Sequence, residues 1–332
     1  MKAIIPVAGI GSRLRPHTHT QPKALIPVAG NTILGHIIKR LLAAGIEDFV
    51  FIIGYLGEKI EAFVKREYPN IRAEFVVQEP REGLGHALYV ARETYENETD
   101  IIIILGDTVV DVDMQKLLEH PGTMLGVKKV DTPSLFGVTE LGPDELVTKV
   151  VEKPKIPKSN IALVGLYKIH NPAKLVAALA YMMQEEIKTL GEYHLSDALM
   201  HLIKNGEKIA TLPVDNWFDC GRKETLLQAN AILLNRPPYL NADNLQFPNT
   251  IIIPPVSIGQ NCTIANSIIG PNVAIGDYTI VQHTILHDSI IGSYSELRNA
   301  VMHDSIVGND ASLLGLTHSF NIGDNTEINF SE

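Results

Sequence analysis

Two cysteines, Cys220 and Cys262, in 332 residues exclude a disulfide framework and a cysteine-rich zinc site. Cations are scarce too: 28 Lys and Arg against 38 Asp and Glu give a formal net charge of −10, which excludes general affinity for DNA or RNA. No apolar stretch approaches the roughly 20 residues that span a bilayer; the longest conspicuous one is 101–105. The N-terminus has one positive charge and a short apolar run broken by Pro6, too short for a signal-peptide core. Glycine (25) and proline (19) are near average usage, so collagen-like and low-complexity readings fall away. What is left reads as a soluble, cytoplasmic chain long enough for two domains, with no membrane partner.

Two further absences are local. Residues 1–45 contain no acidic side chain but hold Lys2, Arg13, Arg15, Lys23, Lys39 and Arg40, and no lysine follows Lys223. An acidic protein that concentrates positive charge in its first strand, loop and helix is built to meet an anion there. Lys39 and Arg40 read as a solvated helix face, whereas Arg13 and Lys23 share a loop with Gly9, Gly11, Pro16 and Pro22.

Up to about residue 235, strand-like and helix-like stretches alternate. Residues 3–7 read as a buried strand, 33–44 as a helix stopped by Gly45, and 49–53 as a second strand. Residues 58–68 and 86–95 read as helices, and 73–77 and 101–105 as strands, the last apolar on both faces. This order predicts an α/β domain: a Rossmann-like, mostly parallel sheet with helices on both faces. Ligands of such sheets bind beyond the carboxyl ends of the strands, which singles out Gly9-Ile10-Gly11-Ser12-Arg13 and Gly106-Asp107.

Residues 236–248 are polar and proline-bearing, and read as a linker between a domain 1–235 and a second domain 249–332. In the second, Ser267-Ile268-Ile269-Gly270, Ser289-Ile290-Ile291-Gly292 and Ser305-Ile306-Val307-Gly308 are one repeated phrase. An Ile/Val-Gly pair recurs at Ile258, Ile275, Ile291, Val307 and Ile322. One apolar residue in six with glycine next is a hexapeptide repeat, and three hexapeptides make one triangular coil. About four short coils of a left-handed parallel β-helix are expected, with isoleucine-rich hairpins as the alternative. His287, His303 and His318 recur near the coil pitch and predict a surface histidine column.

The loop after the first strand is not a dinucleotide fingerprint. Leu14 stands where a third glycine belongs, and no acidic residue follows about twenty positions on. It is not a Walker A loop, because no Gly-Lys-Ser/Thr follows. Its glycines let backbone N–H groups approach a triphosphate while Arg13 and Lys23 add charge. His17 and His19 lie in the polar stretch before Pro22 and read as loop residues rather than metal ligands.

This loop, with Pro22-Lys23, resembles the N-terminal signature of the sugar-1-phosphate nucleotidyltransferases, the glucose-1-phosphate thymidylyltransferase and UTP–glucose-1-phosphate uridylyltransferase group. Ser12 replaces the usual threonine and keeps the hydroxyl. Gln78-Glu79-Pro80-Arg81-Glu82-Gly83-Leu84-Gly85-His86-Ala87 is similar to the base-reading segment, and Leu105-Gly106-Asp107 to the metal aspartate. Val151-Glu152-Lys153-Pro154 is similar to the sugar motif, and residues 159–167 to the stretch lining the sugar pocket. Trp217-Phe218-Asp219-Cys220-Gly221 is similar to the second metal aspartate, completing six motifs in order over residues 8–221.

The resemblance implies transfer of a nucleotidyl group from dTTP or UTP to a sugar 1-phosphate, most simply glucose 1-phosphate, with release of pyrophosphate and Mg²⁺ as cofactor. It implies catalytic roles for Arg13, Lys23 and Asp107, and metal ligation by Asp107 and Asp219. Nucleotide contacts would come from Ala8, Gly9, Gly11, Ser12, Arg13, Gln78 and Gly83. Sugar-phosphate contacts would come from Gly137, Glu152, Lys153, Asn160, Gly165 and Tyr167, while residues 191–198, opening a helix near the sugar pocket or a domain contact, are assigned no catalytic role.

These roles suit the chemistry, which needs no covalent protein intermediate and rests on positioning and charge neutralisation. Mg²⁺ takes few protein ligands and keeps phosphate oxygens and waters. A glutamine amide offers one donor and one acceptor to thymine or uracil. Those bases differ by a methyl worth about 1–3 kcal/mol, so the base remains open, as does the sugar. Alternatives are another specificity such as mannose-1-phosphate guanylyltransferase, a non-catalytic regulatory or scaffold homologue, and a bifunctional enzyme whose coils transfer an acyl group. Four coils are short for the last, so the β-helix is expected to serve assembly of a homo-oligomer.

Overall fold

The computed structural model describes residues 1–236, 239 and 246–315. Most of the expected linker, together with His318 and Ile322, lies outside the described residues. The chain divides into two compact units, Met1–Ala229 and Asn230–Glu332.

The first unit is built on a nine-stranded sheet. Lys2–Pro6 lies between Asp48–Ile53 and Asp100–Ile104, with Arg72–Val77 outside Asp48–Ile53, and these four strands are parallel. Asp100–Ile104 then pairs antiparallel with the long strand Ile161–His170, which also carries Thr123–Lys129 and Val138–Leu141 antiparallel. The parallel half is the expected Rossmann-like part, and the other half is mixed. The reason is local: between Thr123–Lys129 and Ile161–His170 the chain has strands and a 3-10 turn, Pro133–Leu135, but no α-helix. Parallel neighbours need a long crossover, usually a helix; without one, strands pair antiparallel.

The helix Ile33–Ala43 begins at Thr32, whose side chain accepts from Gly35 N. The expected helix at 86–95 starts earlier, as Leu84–Val90, and the chain then tightens into the 3-10 turn Arg92–Thr94. Ile4, Ile52, Ile101, Ile103, Leu88 and Leu199 belong to the fully buried core, apolar as the strand sequences require. Apart from this sheet, Thr108–Asp111 pairs antiparallel with Asn216–Asp219 in register Thr108↔Asp219. That small pairing sets up the site. Among the described residues, no helix is long and apolar enough to cross a membrane.

The second unit is a left-handed parallel β-helix of three four-stranded parallel sheets. Ile269, Val273, Val281, Ile291 and Leu297 fill its interior. Thr263 pairs with Ile280 and Ile280 with Glu296, so successive coils advance by 17 and then 16 residues, fewer than three full hexapeptides. Corners are turned by single residues in the left-handed region, among them Asn272, Asp288 and Asp304; Asn and Asp tolerate that conformation because their short polar side chains hydrogen-bond locally. The glycines of the repeat answer to stacking: a Cβ on Gly276 would lie 2.5 Å from Ser293 N in the next coil. His287 and His303 stack at 5.5 Å between ring centroids, each with its Nδ1 against the following aspartate at 2.8 and 3.0 Å.

Candidate active site

Beyond the strand Lys2–Pro6 the chain enters the glycine loop. Gly11 is left-handed (φ 68), and a Cβ there would lie 2.9 Å from Lys23 Cβ, so glycine allows the loop to close on Lys23. Thr18 Oγ1 holds the loop by donating to Gly11 O at 2.9 Å. Lys23 opens the 3-10 turn Lys23–Leu25, and its Nζ donates to Asp107 Oδ2 at 2.5 Å. Asp107 directly precedes Thr108–Asp111, and Cys220 N donates to Asp107 O at 3.0 Å, bringing the Asp219 end of the partner strand alongside. A Cβ on Gly221 would lie 2.8 Å from both Arg13 Nη2 and Asp219 Oδ1, and 3.1 Å from Lys23 Nζ. Two cations and two carboxylates thus converge on one side-chain-free stretch of backbone.

Their environments push the carboxyls apart. Burial alone would raise the Asp107 carboxyl, but the Lys23 ammonium beside it and the Arg13 guanidinium hold it below the ordinary carboxylate range. Burial raises Asp219, the neighbouring Asp107 carboxylate raises it further, and Lys23, Arg13 and Arg222 offset part of this. A divalent cation shared by the two would turn that repulsion into ligation. Among the described residues, no group of three or more His, Cys, Asp or Glu is arranged to hold a metal. A carboxylate pair suits Mg²⁺, which completes its shell with water and phosphate oxygens, and is too few ligands for a zinc site. Burial and the nearby Asp107 push the Cys220 thiol up, so it is not a nucleophile.

Ala8, Gly9, Gly11, Ser12, Arg13, Lys23, Gln78, Gly83 and Asp107 line one cleft of ≈ 690 Å³. Arg81 and Leu84 of the base-reading segment line it too, as does Glu192, and none of the three was singled out as a site residue from the sequence. Gln78 is buried, its Nε2 donating to Gly83 O at 3.0 Å and lying 3.3 Å from His86 Nδ1. Gly83 (φ +102) has no room for a side chain, because a Cβ would stand 2.6 Å from Tyr193 O. The backbone of Tyr193 clamps this loop, accepting from Gly85 N at 2.7 Å and donating to Glu82 O at 2.8 Å. That clamp carries Glu192 into the cleft across more than a hundred residues, which no local pattern encodes.

Gly137, Glu152, Lys153, Asn160, Gly165, Tyr167 and Asp219 are not in that lining. Glu152 is the centre of a second cluster: Ser196 Oγ donates to its Oε2 at 2.9 Å, and Lys153 Nζ and His194 Nδ1 lie 3.7 and 3.9 Å from its Oε1. A Cβ on Gly137 would be 3.1 Å from Glu152 Oε2, so glycine leaves room for the carboxylate. Tyr167 connects the two clusters. Its buried phenol is pushed up first by burial, then by the Glu152 and Asp107 carboxylates, which places it within the field of both. Gly165 (φ +81) sits at a register break in Ile161–His170 and accepts from Leu105 N at 2.9 Å, fixing the turn toward Asp107. Asn160 is exposed; its carbonyl accepts from Val130 N at 3.0 Å, and its side chain makes no hydrogen bond to the Glu152 cluster. Ser196 and His194 belong to the stretch 191–198 that the resemblance places near the sugar pocket or a domain contact, but neither has a role assigned from the sequence, because Ser196 reads as an ordinary helix start.

An open α/β sheet that gathers a glycine loop, two cations and two carboxylates at its strand ends is the architecture of a protein that handles phosphates. Residues 2–236 match the family described as Nucleotidyl transferase, and the chain belongs to that family. It is 35% identical to the bifunctional protein GlmU of Methanocaldococcus jannaschii over 71% of this chain and 55% of that one. It is 34% identical to a glucose-1-phosphate thymidylyltransferase of Streptomyces antibioticus over 70% of this chain and 66% of that one. These matches leave a third or more of each relative unmatched. A solved structure of a putative glucose-1-phosphate thymidylyltransferase from Bacillus anthracis superposes with a TM-score of 0.61 at 27% identity, over 70% of this chain and 95% of that one.

Proposed function

We propose that the protein joins a nucleoside triphosphate, dTTP or UTP, to a sugar 1-phosphate, glucose 1-phosphate foremost, giving a nucleotide sugar and pyrophosphate. The observation that carries this reading is the convergence of Arg13, Lys23, Asp107 and Asp219 around Gly221. Joining two polyanions needs charge neutralisation and in-line positioning more than a protein nucleophile.

Backbone N–H groups of the loop from Ala8 to Ser12 cradle the triphosphate, and Arg13 neutralises charge that grows as pyrophosphate departs. Lys23 holds Asp107 in its ionised form and faces the same phosphates. Asp107 and Asp219 would hold Mg²⁺, which supplies Lewis-acid neutralisation of phosphate charge. Gln78 and Gly83 read the base, a pyrimidine matching the amide oxygen of Gln78 and the Nε2 hydrogen that Gly83 O does not take. Glu152 accepts from sugar hydroxyls and Lys153 meets the sugar phosphate. The β-helix contributes contacts between subunits of a cytoplasmic homo-oligomer.

Pyrophosphate release with dTTP, UTP, GTP, CTP and ATP against glucose-, galactose-, mannose- and N-acetylglucosamine 1-phosphates tests the reading. Turnover with dTTP or UTP and one of these sugars is expected. No release from any pair, with Mg²⁺ present and the protein folded, would establish the non-catalytic scaffold reading instead.

A further inference from the structure

The two-stranded ribbon that carries the aspartates stands apart from the main sheet, and part of what holds it lies outside the cleft. Thr108–Asp111 directly follows Asp107, and Asn216–Asp219 ends on Asp219, so the register from Asn216↔Asp111 to Asp219↔Thr108 decides where the two carboxylates stand relative to each other. A slip of one residue would turn Asp219 to the opposite face. Two strands alone are marginal in water, so the register needs support from elsewhere. Asp111 supplies it at the end of the ribbon remote from Asp107. Its Oδ2 accepts from Asn216 Nδ2 on the facing strand at 3.0 Å, and its Oδ1 accepts from Arg40 Nη2 at 2.8 Å. Arg40 lies in the last turn of the helix Ile33–Ala43. Its neighbour Lys39 is exposed, as a solvated helix face requires, but Arg40 is half-buried against Asp111, with 28% and 15% of the two side chains exposed. The same helix packs on the 3-10 turn Lys23–Leu25, Ile33 N donating to Ile26 O at 3.2 Å. One helix therefore touches both the turn that presents Lys23 and the ribbon that presents Asp107 and Asp219.

We propose that Arg40 is a positioning residue for the carboxylate pair: through Asp111 it locks the register of the ribbon and so sets the two aspartates where they share one divalent cation. This rests on the reading of Asp107 and Asp219 as holders of Mg²⁺ made above. Mg²⁺ demands near-ideal octahedral geometry, with oxygens at about 2.0–2.1 Å, so a small displacement of one carboxylate weakens its binding sharply. A charge-assisted bond suits this use, because it is shorter and stronger than a neutral one and is directed by the planar guanidinium.

The test measures two metal constants on the full chain, in the wild type, Arg40→Ala, Arg40→Lys and Asn216→Ala, with Asp219→Asn as the reference for the metal pair. One is the free Mg²⁺ concentration that gives half-maximal pyrophosphate release at saturating substrates. The other is the dissociation constant for Mn²⁺ without substrates, read from loss of the free-ion signal in electron paramagnetic resonance. Melting curves accompany each variant. Arg40→Ala should raise both constants tenfold or more, while KM for nucleotide and sugar 1-phosphate at saturating Mg²⁺ stays within twofold. Arg40→Lys, which keeps the charge, should raise them less. Asn216→Ala, which removes the other bond to Asp111 and leaves Arg40 in place, should raise them at least threefold. Unchanged constants in the Arg40 variants, whatever their melting temperatures, would overturn the proposal and make Arg40 a stabilising residue only. If Arg40→Ala does not fold, the same criterion applies to Arg40→Lys and Asn216→Ala. If Asp219→Asn also leaves both constants unchanged, or the wild type binds no Mn²⁺, the metal reading itself fails and the Arg40 proposal fails with it.

Discussion

In the unit Met1–Ala229 the charged groups that meet come from distant segments: Arg13 and Lys23 from the first loop, Asp107 from the middle of the chain, and Asp219 and Gly221 from its end. In Asn230–Glu332 the polar groups meet their own repeats, Asn272 Nδ2 donating to Asp288 Oδ1 at 2.7 Å one coil on, and His287 stacking on His303. The first arrangement crowds two like-charged carboxylates beside two cations, as the raised Asp219 and lowered Asp107 carboxyls record. The second satisfies each corner with the next. A convergent site holds unfavourable charge in readiness for a ligand, whereas a ladder settles its polar groups internally.

The largest effects should fall on the convergent site. Asp107→Asn and Asp219→Asn should each lower kcat by about 10³-fold, on the order of 4 kcal/mol, by removing a metal-holding charge. Near wild-type rates at saturating Mg²⁺ would refute that role for the residue concerned. Their effects on stability should have opposite signs. The folded state raises the Asp219 carboxyl, so its contribution is present below the ordinary aspartate range and is lost as pH rises through the raised value. At pH 7 in EDTA, Asp219→Asn should therefore raise Tm. The Asp107 carboxyl is depressed, so its contribution is present above the ordinary range and lost on acidification through the depressed value. Asp107→Asn should lower Tm at pH 7. Shifts of the same sign would mean the two carboxyls do not differ as described.

The ladder should respond to packing instead. Ile291, fully buried within the β-helix, should cost about 2–5 kcal/mol of that unit's stability when truncated to alanine. Turnover at 25 °C should change less than twofold. A large loss of activity at unchanged folding would tie the coils to catalysis and erase the contrast between the units.

Which parts were legible in the sequence follows from the same contrast. The β-helix was readable because its signal is local and repeated, although the 16- and 17-residue coils show that corners can lose a residue while the Ile/Val-Gly phrase persists. The parallel strands were readable from apolar runs between helices. The antiparallel half was not, because Thr123–Lys129, Val138–Leu141 and Ile161–His170 are apolar enough to suit either direction, and only the missing crossover helix decides. In the site, residues inside motifs were visible one by one, but the motifs do not say that Lys23 lies against Asp107 or that Gly221 stands between Arg13 and Asp219. Glu192, His194 and Ser196 reach the site through the packing of residues 192–196 on distant loops; the resemblance places their stretch near the sugar pocket, but nothing in its own pattern says which side chains meet Glu152 or enter the cleft.

Within the site, the two clusters should separate kinetically. Arg13, at the convergence point, should chiefly affect kcat when replaced by alanine, because it neutralises charge that develops during transfer. Lys153, half-exposed beside Glu152, should chiefly affect KM for the sugar 1-phosphate. Each effect should be ten- to a hundredfold, about 1.4–2.7 kcal/mol. Exchanged phenotypes would reverse the assignment of nucleotide and sugar sides.

Removing residues 249–332 should have the smallest effect on chemistry. Every residue given a role in nucleotide transfer lies within Met1–Ala229, and the removed segment contains no lysine to hold a phosphate. The β-helix presents a row of apolar residues on one sheet, Ile251 (59% exposed), the half-buried Ile268, Ile285 (42%) and Val301 (75%), in register on successive coils. Apolar side chains aligned in that way favour contact with another subunit. The truncated protein should therefore show lower oligomeric order by light scattering and keep measurable pyrophosphate release. Unchanged assembly would remove the coils' role between subunits. A folded truncation without activity would show that the β-helix completes or steadies the site, and the contrast between a convergent catalytic unit and a self-satisfied ladder would no longer describe two separable functions.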